Sequence, residues 1–164
     1  MRPSADKDTK CATAAEGTAR PEAFQRVAQV LSSRGHPQEP LWLDVAARTA
    51  QEAADALGVT LGQIAKSVVF RRRVDDRAVL VVVSGDRRVD EQKLAAQVGA
   101  VGRADAAFVK QRTGFVIGGV SPVGLAEVPV MLIDRDLLRF ELIWAAAGHP
   151  NGVFRMSPAE LHSL

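Results

Sequence analysis

The sequence predicts one α+β domain, with helices and strands mixed around a single sheet and a single hydrophobic core. Three observations carry this. The chain has 164 residues, 47% hydrophobic and 24% charged, which suits one core and is too short for two comfortable ones. Segments with apolar residues three or four apart alternate with short β-branched runs, so helices and strands are both expected. Two of those runs, Val68–Phe70 and Ala78–Val83, flank a charged turn from Arg71 to Arg77, which predicts an antiparallel hairpin.

Composition removes several classes of function. The single cysteine, Cys11, excludes an intrachain disulfide framework and any cysteine-cluster metal site, and makes a reduced, cytoplasmic setting the default. No apolar run approaches the roughly 20 residues that cross a bilayer, and the N-terminus lacks the apolar core of a signal peptide. A soluble protein with no membrane partner is therefore expected. The net charge of +2 conceals two clusters, Arg71-Arg72-Arg73 and Arg87-Arg88. Both flank expected strands, so they form either one basic patch on a rim or solvated strand ends that discourage edge aggregation.

In chain order, residues 1–19 are small, polar and charged without a structural period, and read as a disordered leader to a domain at 20–164. Cys11 within it lacks the fixed neighbour that a nucleophile requires. From Pro21 the spacing of Phe24, Val27, Val30 and Leu31 predicts an amphipathic helix ended by Gly35. His36–Pro40 is a turn, and Leu41–Val45 a short strand. Thr49 and Glu52 form a capping box opening a helix over Ala50–Leu57, which Gly58 closes, and Thr60 caps a short helix leading to Lys66. Val68–Phe70 and Ala78–Val83 follow as strands, the latter apolar on both faces and so expected at the centre of the sheet. Helices are expected over Asp90–Val98 and Ala104–Arg112, strands at Val128–Ile133, Leu142–Ala145 and Val153–Arg155, and a final helix after the capping box Ser157-Pro-Ala-Glu160.

Three places are candidates for chemistry. Lys66 stands where helical sequence gives way to the β-branched run Ser67–Phe70. It either snorkels to solvent from the helix end or holds an anionic or carbonyl-bearing ligand over an apolar floor. Gly118-Gly-Val-Ser-Pro122 can bring its backbone close to a ligand and aim N–H groups at an oxyanion, or be only a tight turn. It lacks the spacing of a nucleotide-binding P-loop. His149 and Asn151 lie on a loop between strands, as turn residues or ligand contacts.

The series Thr49 before an alanine-rich helix, Gly62-Gln-Ile-Ala-Lys66-Ser-Val-Val-Phe, Val81-Val-Val-Ser-Gly-Asp86, Gly118-Gly-Val-Ser-Pro122 and Ile133-Asp134 resembles the YbaK/prolyl-tRNA editing domain family, from about Phe24 to the C-terminus. The resemblance implies a central, mostly antiparallel, barrel-like mixed sheet surrounded by helices, and hydrolysis of the ester joining a wrong amino acid to tRNA. It maps the family's lysine onto Lys66 and its Gly-x-x-x-Pro motif onto Gly118–Pro122. On that basis Lys66, Gly118 and Gly119 are the catalytic candidates and Ser121, Pro122, His149 and Asn151 the substrate-binding ones. Lys66 and the Gly118 bend must then share one hollow wide enough for an esterified adenosine.

An aminoacyl ester is already activated, so a placed water, an oxyanion contact and a cavity for the side chain suffice. No Ser-His-Asp order, no H-E-x-x-H and no cysteine-rich ligand set is present, so no metal or cofactor is expected. Arg71, Arg72, Arg73, Arg87 and Arg88 are the candidates for tRNA phosphate contacts, with Lys110 and Arg112 beside them. The expected partner is a mischarged tRNA, tRNA-Pro or a related one carrying Ala, Cys, Ser or Thr. A prolyl-tRNA synthetase is a further partner left open, and the chain is expected as a monomer or weak homodimer. Two other classes stand beside this one: a module of the same fold that binds tRNA or nucleotide without hydrolysis, and a small-molecule hydrolase or interaction protein with no nucleic-acid partner.

Overall fold

The computed structural model describes residues 19–164; the expected leader up to Thr18, with Cys11, lies outside the described residues. The elements in order are α1 (Glu22–Ser33), β1 (Leu41–Trp42), α2 (Ala50–Leu57), a 3-10 turn (Leu61–Gln63), β2 (Ile64–Arg72), β3 (Ala78–Ser84), α3 (Glu91–Val98), β4 (Val101–Arg103), α4 (Ala106–Thr113), β5 (Val130–Ile133), a second 3-10 turn (Arg135–Arg139), β6 (Ile143–Ala146), β7 (Gly152–Met156) and α5 (Pro158–Ser163).

The strands form one seven-stranded sheet ordered β1-β7-β6-β2-β3-β5, with β4 also on β2. The β1/β7, β2/β3, β2/β4 and β6/β7 pairs are antiparallel, and the β2/β6 and β3/β5 pairs are parallel. The sheet is thus mixed and mostly antiparallel, as expected, but it is not closed. Its path ends at β1 and β5, so the barrel-like expectation is corrected to an open sheet. Every residue of β3 is buried, because both faces of this central strand are covered. On one face Leu80 and Val82 join Phe24, Val27 and Leu31 of α1 and Val109 of α4. On the other, Val79 and Val81 pack with Phe70 and Leu94 of α3. A third cluster gathers Ala53 and Ala54 of α2 with Ile64 and Trp144.

Local chemistry sets the boundaries. Thr49 Oγ1 accepts from the Glu52 N–H, Glu52 Oε1 accepts from the Thr49 N–H, and Gly58 ends α2 in the left-handed region at φ 69°. Asp105 Oδ1 accepts from the Phe108 N–H at 2.8 Å, so α4 begins at Ala106 and not at Ala104. The three residues before it make β4, a strand too short and too glycine-rich to show in the sequence. β2 starts at Ile64, ahead of the expected run, and Lys66 therefore lies within a strand and not at a junction.

Candidate active site

The second edge of β2 is incompletely paired, and a cavity opens there. β6 covers this edge only at Ile64 and Ala65, and β4 only from Phe70 to Arg72. Between them, Lys66–Val69 have β3 on one side and no strand on the other. Arg72 N–H donates to the Arg77 carbonyl and Gly85 N–H to the Ile64 carbonyl, so even-numbered residues turn their peptide groups toward β3. By alternation the N–H and C=O groups of Ser67 and Val69 face the gap.

The cavity occupies about 490 Å³, within the range of roughly 300–1,000 Å³ usual for small-ligand sites. Lys66–Val69 form one wall, Ala47–Ala50 and Ala53 another, and Ile117, Gly118 and Val120 a third, with Val109, Trp144 and Ala145 lining its apolar side. Lys66 and Arg48 are its basic lining residues, and none of its lining residues is acidic. Ser67 Oγ and Trp144 Nε1, in residues that line the cavity, are buried and have no hydrogen-bond partner among the described residues. A buried donor left unpaired is costly.

Lys66 and Gly118 therefore line one cavity. The Lys66 ammonium donates to the Arg87 carbonyl at 3.2 Å, which leaves two of its N–H groups uncommitted. The two glycines do different things. Gly118 has φ +95°, and a Cβ there would lie 3.5 Å from Arg48 Cγ; Gly119 touches the chain at His149, whose Cα and N would stand 2.8 Å from an added Cβ. Gly119 N–H donates to the Val116 carbonyl at 3.0 Å, whereas the Gly118 N–H has no partner among the described residues. Of the two glycines expected to donate to an oxyanion, Gly118 lines the cavity and Gly119 does not.

The glycine loop is held from several sides. Thr113 Oγ1 donates to the Val109 carbonyl and accepts from the Phe115 N–H. Arg26 of α1 donates to the Gly124 carbonyl at 3.0 Å and lies over the Phe115 ring. Ser121 is fully buried, and its Oγ accepts from the Val123 N–H. Ser121 and the buried Pro122, expected as substrate contacts, do not line the cavity but stand in the turn beside it.

His149 and Asn151 likewise stand behind the wall and not in it. Asn151 Nδ2 donates to the Leu43 carbonyl at 2.8 Å, and the Ala47 N–H to the Pro150 carbonyl at 2.7 Å. These bonds tie the 149–152 loop to the segment that delivers Arg48. The His149 ring lies 4.9 Å from that of Trp42, and its Nδ1 accepts from the Asn151 N–H at 3.1 Å. Burial first, and the nearby Arg48 charge second, lower its pKa below the ordinary 6.5.

The arginine clusters do not form one patch. Arg71 pairs with Ala78 at the turn of the hairpin, while Ala65 pairs with Ser84 at its other end, roughly 20 Å away at about 3.3 Å per residue. Arg71 and Arg72 form salt bridges with Asp76 and Asp75 at 2.8 and 2.7 Å. Arg87 and Arg88 are at the Lys66 end and line a second cavity with Lys93, Arg135 and Asp136. Arg87 is bound to Asp136 at 2.9 Å. Arg48, Ser67 and Trp144 were not singled out by sequence reasoning; the one local signal was that Arg48 precedes a capping box.

Among the described residues, no group of three or more His, Cys, Asp or Glu side chains is placed to hold a metal ion, and no helix is long and apolar enough to cross a membrane.

Residues 44–164 match the model of the aminoacyl-tRNA editing domain family. The chain is 36% identical over 119 residues to the uncharacterized protein YwhH of Bacillus subtilis (strain 168), covering 72% of this chain and 75% of that protein. It is 39% identical over 108 residues to a proline–tRNA ligase of Lactobacillus helveticus (strain DPC 4571), covering 65% of this chain and 19% of the ligase; the chain thus spans only a fraction of the ligase's length. A solved structure described as a candidate trans-editing enzyme for prolyl tRNA synthetase superposes with a TM-score of 0.80 at 39% identity, covering 87% of this chain and 91% of that one. The hypothetical protein APE2540 superposes with a TM-score of 0.79 at 31% identity, over 84% and 92% of the two chains.

Proposed function

The chain belongs to the aminoacyl-tRNA editing domain family, and from that premise we propose that it is a trans-editing deacylase that hydrolyses the ester between a small wrong amino acid and the 3′-terminal adenosine of a tRNA. The observation that carries the reading is the gap in the β2 edge. It makes a cavity of ligand size with two cations, no carboxylate, and main-chain groups of Ser67 and Val69 turned toward it.

In this reading the ester carbonyl lies against Gly118, whose N–H, without a partner among the described residues, donates to the oxygen as negative charge develops there. A donor placed for the transition state is worth roughly 100- to 1,000-fold in rate. Lys66 adds positive charge from the opposite wall. The amino acid's side chain enters the apolar part bounded by Val109, Val120 and Ala145, where one methylene more or less is worth about 1–3 kcal/mol. No cavity-lining residue is a carboxylate or histidine able to take a proton, which agrees with what the family resemblance implies, that the vicinal ribose hydroxyl of the tRNA helps to position the attacking water.

The tRNA-Pro identity of the carrier and an association with prolyl-tRNA synthetase are supported by the proline–tRNA ligase relatives and by the description of the superposed structure. The cation-bearing rim near Lys66, with Arg87, Arg88 and Lys93, suits acceptor-stem phosphates. One observation favours a non-hydrolytic binding module instead: the Lys66 ammonium is engaged with Arg87 and the Gly119 N–H with Val116. A panel of tRNAs mischarged with Ala, Cys, Ser or Thr separates the two. Cleavage of at least one ester, slowed roughly 100-fold or more in Lys66→Ala, supports the enzyme; binding with every ester left intact supports the module.

A further inference from the structure

Arg48 is a charge in the cavity wall that no salt bridge among the described residues neutralises. Its backbone N–H donates to Glu52 Oε1 at 2.8 Å, so the capped start of α2 fixes its position. From there its stem lies against Gly118, with Cγ 3.5 Å from where a Cβ would be. The described residues contain five salt bridges, and Arg48 takes part in none of them. An exposed guanidinium with no ion pair among the described residues, on a backbone fixed by the α2 cap and in a wall whose lining has no carboxylate, is open to an anion from outside the chain. Its planar fork matches phosphate with two parallel bonds, which an ammonium such as Lys66 cannot do.

This inference rests on the reading of the cavity as the site of an esterified 3′-terminal nucleoside. Such a ligand carries its negative charge at one place, the phosphodiester on the 5′ oxygen. We infer that Arg48 grips the 5′ phosphate of the terminal nucleotide and so sets how far the nucleoside enters, while Gly118 and Lys66 act at the ester end. The contact between Arg48 and Gly118 then has a purpose: the group that measures the nucleotide and the group that meets the carbonyl are neighbours in space. Arg48 is accordingly a binding and positioning residue that takes no part in bond cleavage.

The test compares adenosine 5′-monophosphate with adenosine by calorimetric titration of the full chain and of its Arg48→Gln and Arg48→Lys variants. The wild type binds the monophosphate about tenfold or more tightly than the nucleoside, Arg48→Gln binds the two alike, and Arg48→Lys keeps part of the preference. Equal or undetectable binding of the two by the wild type, or a preference that survives in Arg48→Gln, overturns the inference. The readout is binding, so the two readings fail separately. A phosphate preference that depends on Arg48, without cleavage of any mischarged tRNA, defeats the hydrolase alone. Cleavage without a phosphate preference defeats the Arg48 assignment alone.

Discussion

Gly118 and Gly119 are adjacent, yet different forces exclude a side chain at each. At Gly118 the obstacle is the backbone, since an L-residue at φ +95° is strained by about 1–2 kcal/mol. At Gly119 it is space, because a methyl group would meet the His149 backbone at 2.8 Å and overpacking of this kind costs about 1–3 kcal/mol. Urea denaturation should therefore show both alanine variants destabilised, and only Gly119→Ala should also move the His149 ring resonances. His149 itself carries a signed pH dependence. Its folded pKa lies below 6.5, so the fold favours the neutral ring. The resulting stability is present above the unfolded value of about 6.5 and is lost as pH falls through the lower folded pKa. His149→Gln should flatten that acid-side loss. Arg48→Gln should raise the His149 pKa measured by NMR, though only in part, since burial is the larger cause. The glycine pair was legible in the sequence as a loop, but its division of labour was not. The partner of Gly119 is His149, and the sequence does not say which distant segment passes behind a glycine.

The elements that could be read from the sequence are those whose causes are local. The Thr49–Glu52 box, the Ser157–Glu160 box and the left-handed Gly58 are complete within a few residues, and the helices they bound are where the pattern put them. β4 escaped notice because Val101-Gly102-Arg103 has too few side chains to make a period. The cavity escaped for a deeper reason. It exists because two strands from elsewhere in the chain, β6 and β4, cover the ends of the β2 edge and leave Lys66–Val69 open, and pairing register is not written in β2 itself. The α2 cap also bears on the site, because Glu52 Oε1 receives the N–H groups of both Arg48 and Thr49. Glu52→Ala should cost about 1 kcal/mol of stability, read by thermal unfolding. It should also weaken binding of adenosine 5′-monophosphate without abolishing it, because it frees the backbone that holds Arg48 and leaves the guanidinium in place.

For the whole molecule, the mixed α+β architecture and its buried central strand followed from the sequence, and the open sheet did not. The expected basic rim divides into two ends of one hairpin. At the turn, Arg71 and Arg72 are occupied by Asp76 and Asp75. At the cavity end, Arg88 and Lys93 face the second cavity and take part in none of the salt bridges of the described residues. If tRNA lies across the cavity end, Arg88→Gln with Lys93→Gln should weaken its binding and reduce the slope of log affinity against log salt by about two. Arg71→Gln with Arg72→Gln should change neither. The most direct test of the account remains ester hydrolysis itself, followed as loss of radiolabelled amino acid from tRNAs mischarged with Ala, Cys, Ser or Thr. The account predicts that the wild type clears at least one of them and that Lys66→Ala, folded to the same melting temperature, clears it roughly 100-fold more slowly or not at all. Equal rates for the two proteins on every substrate would contradict it.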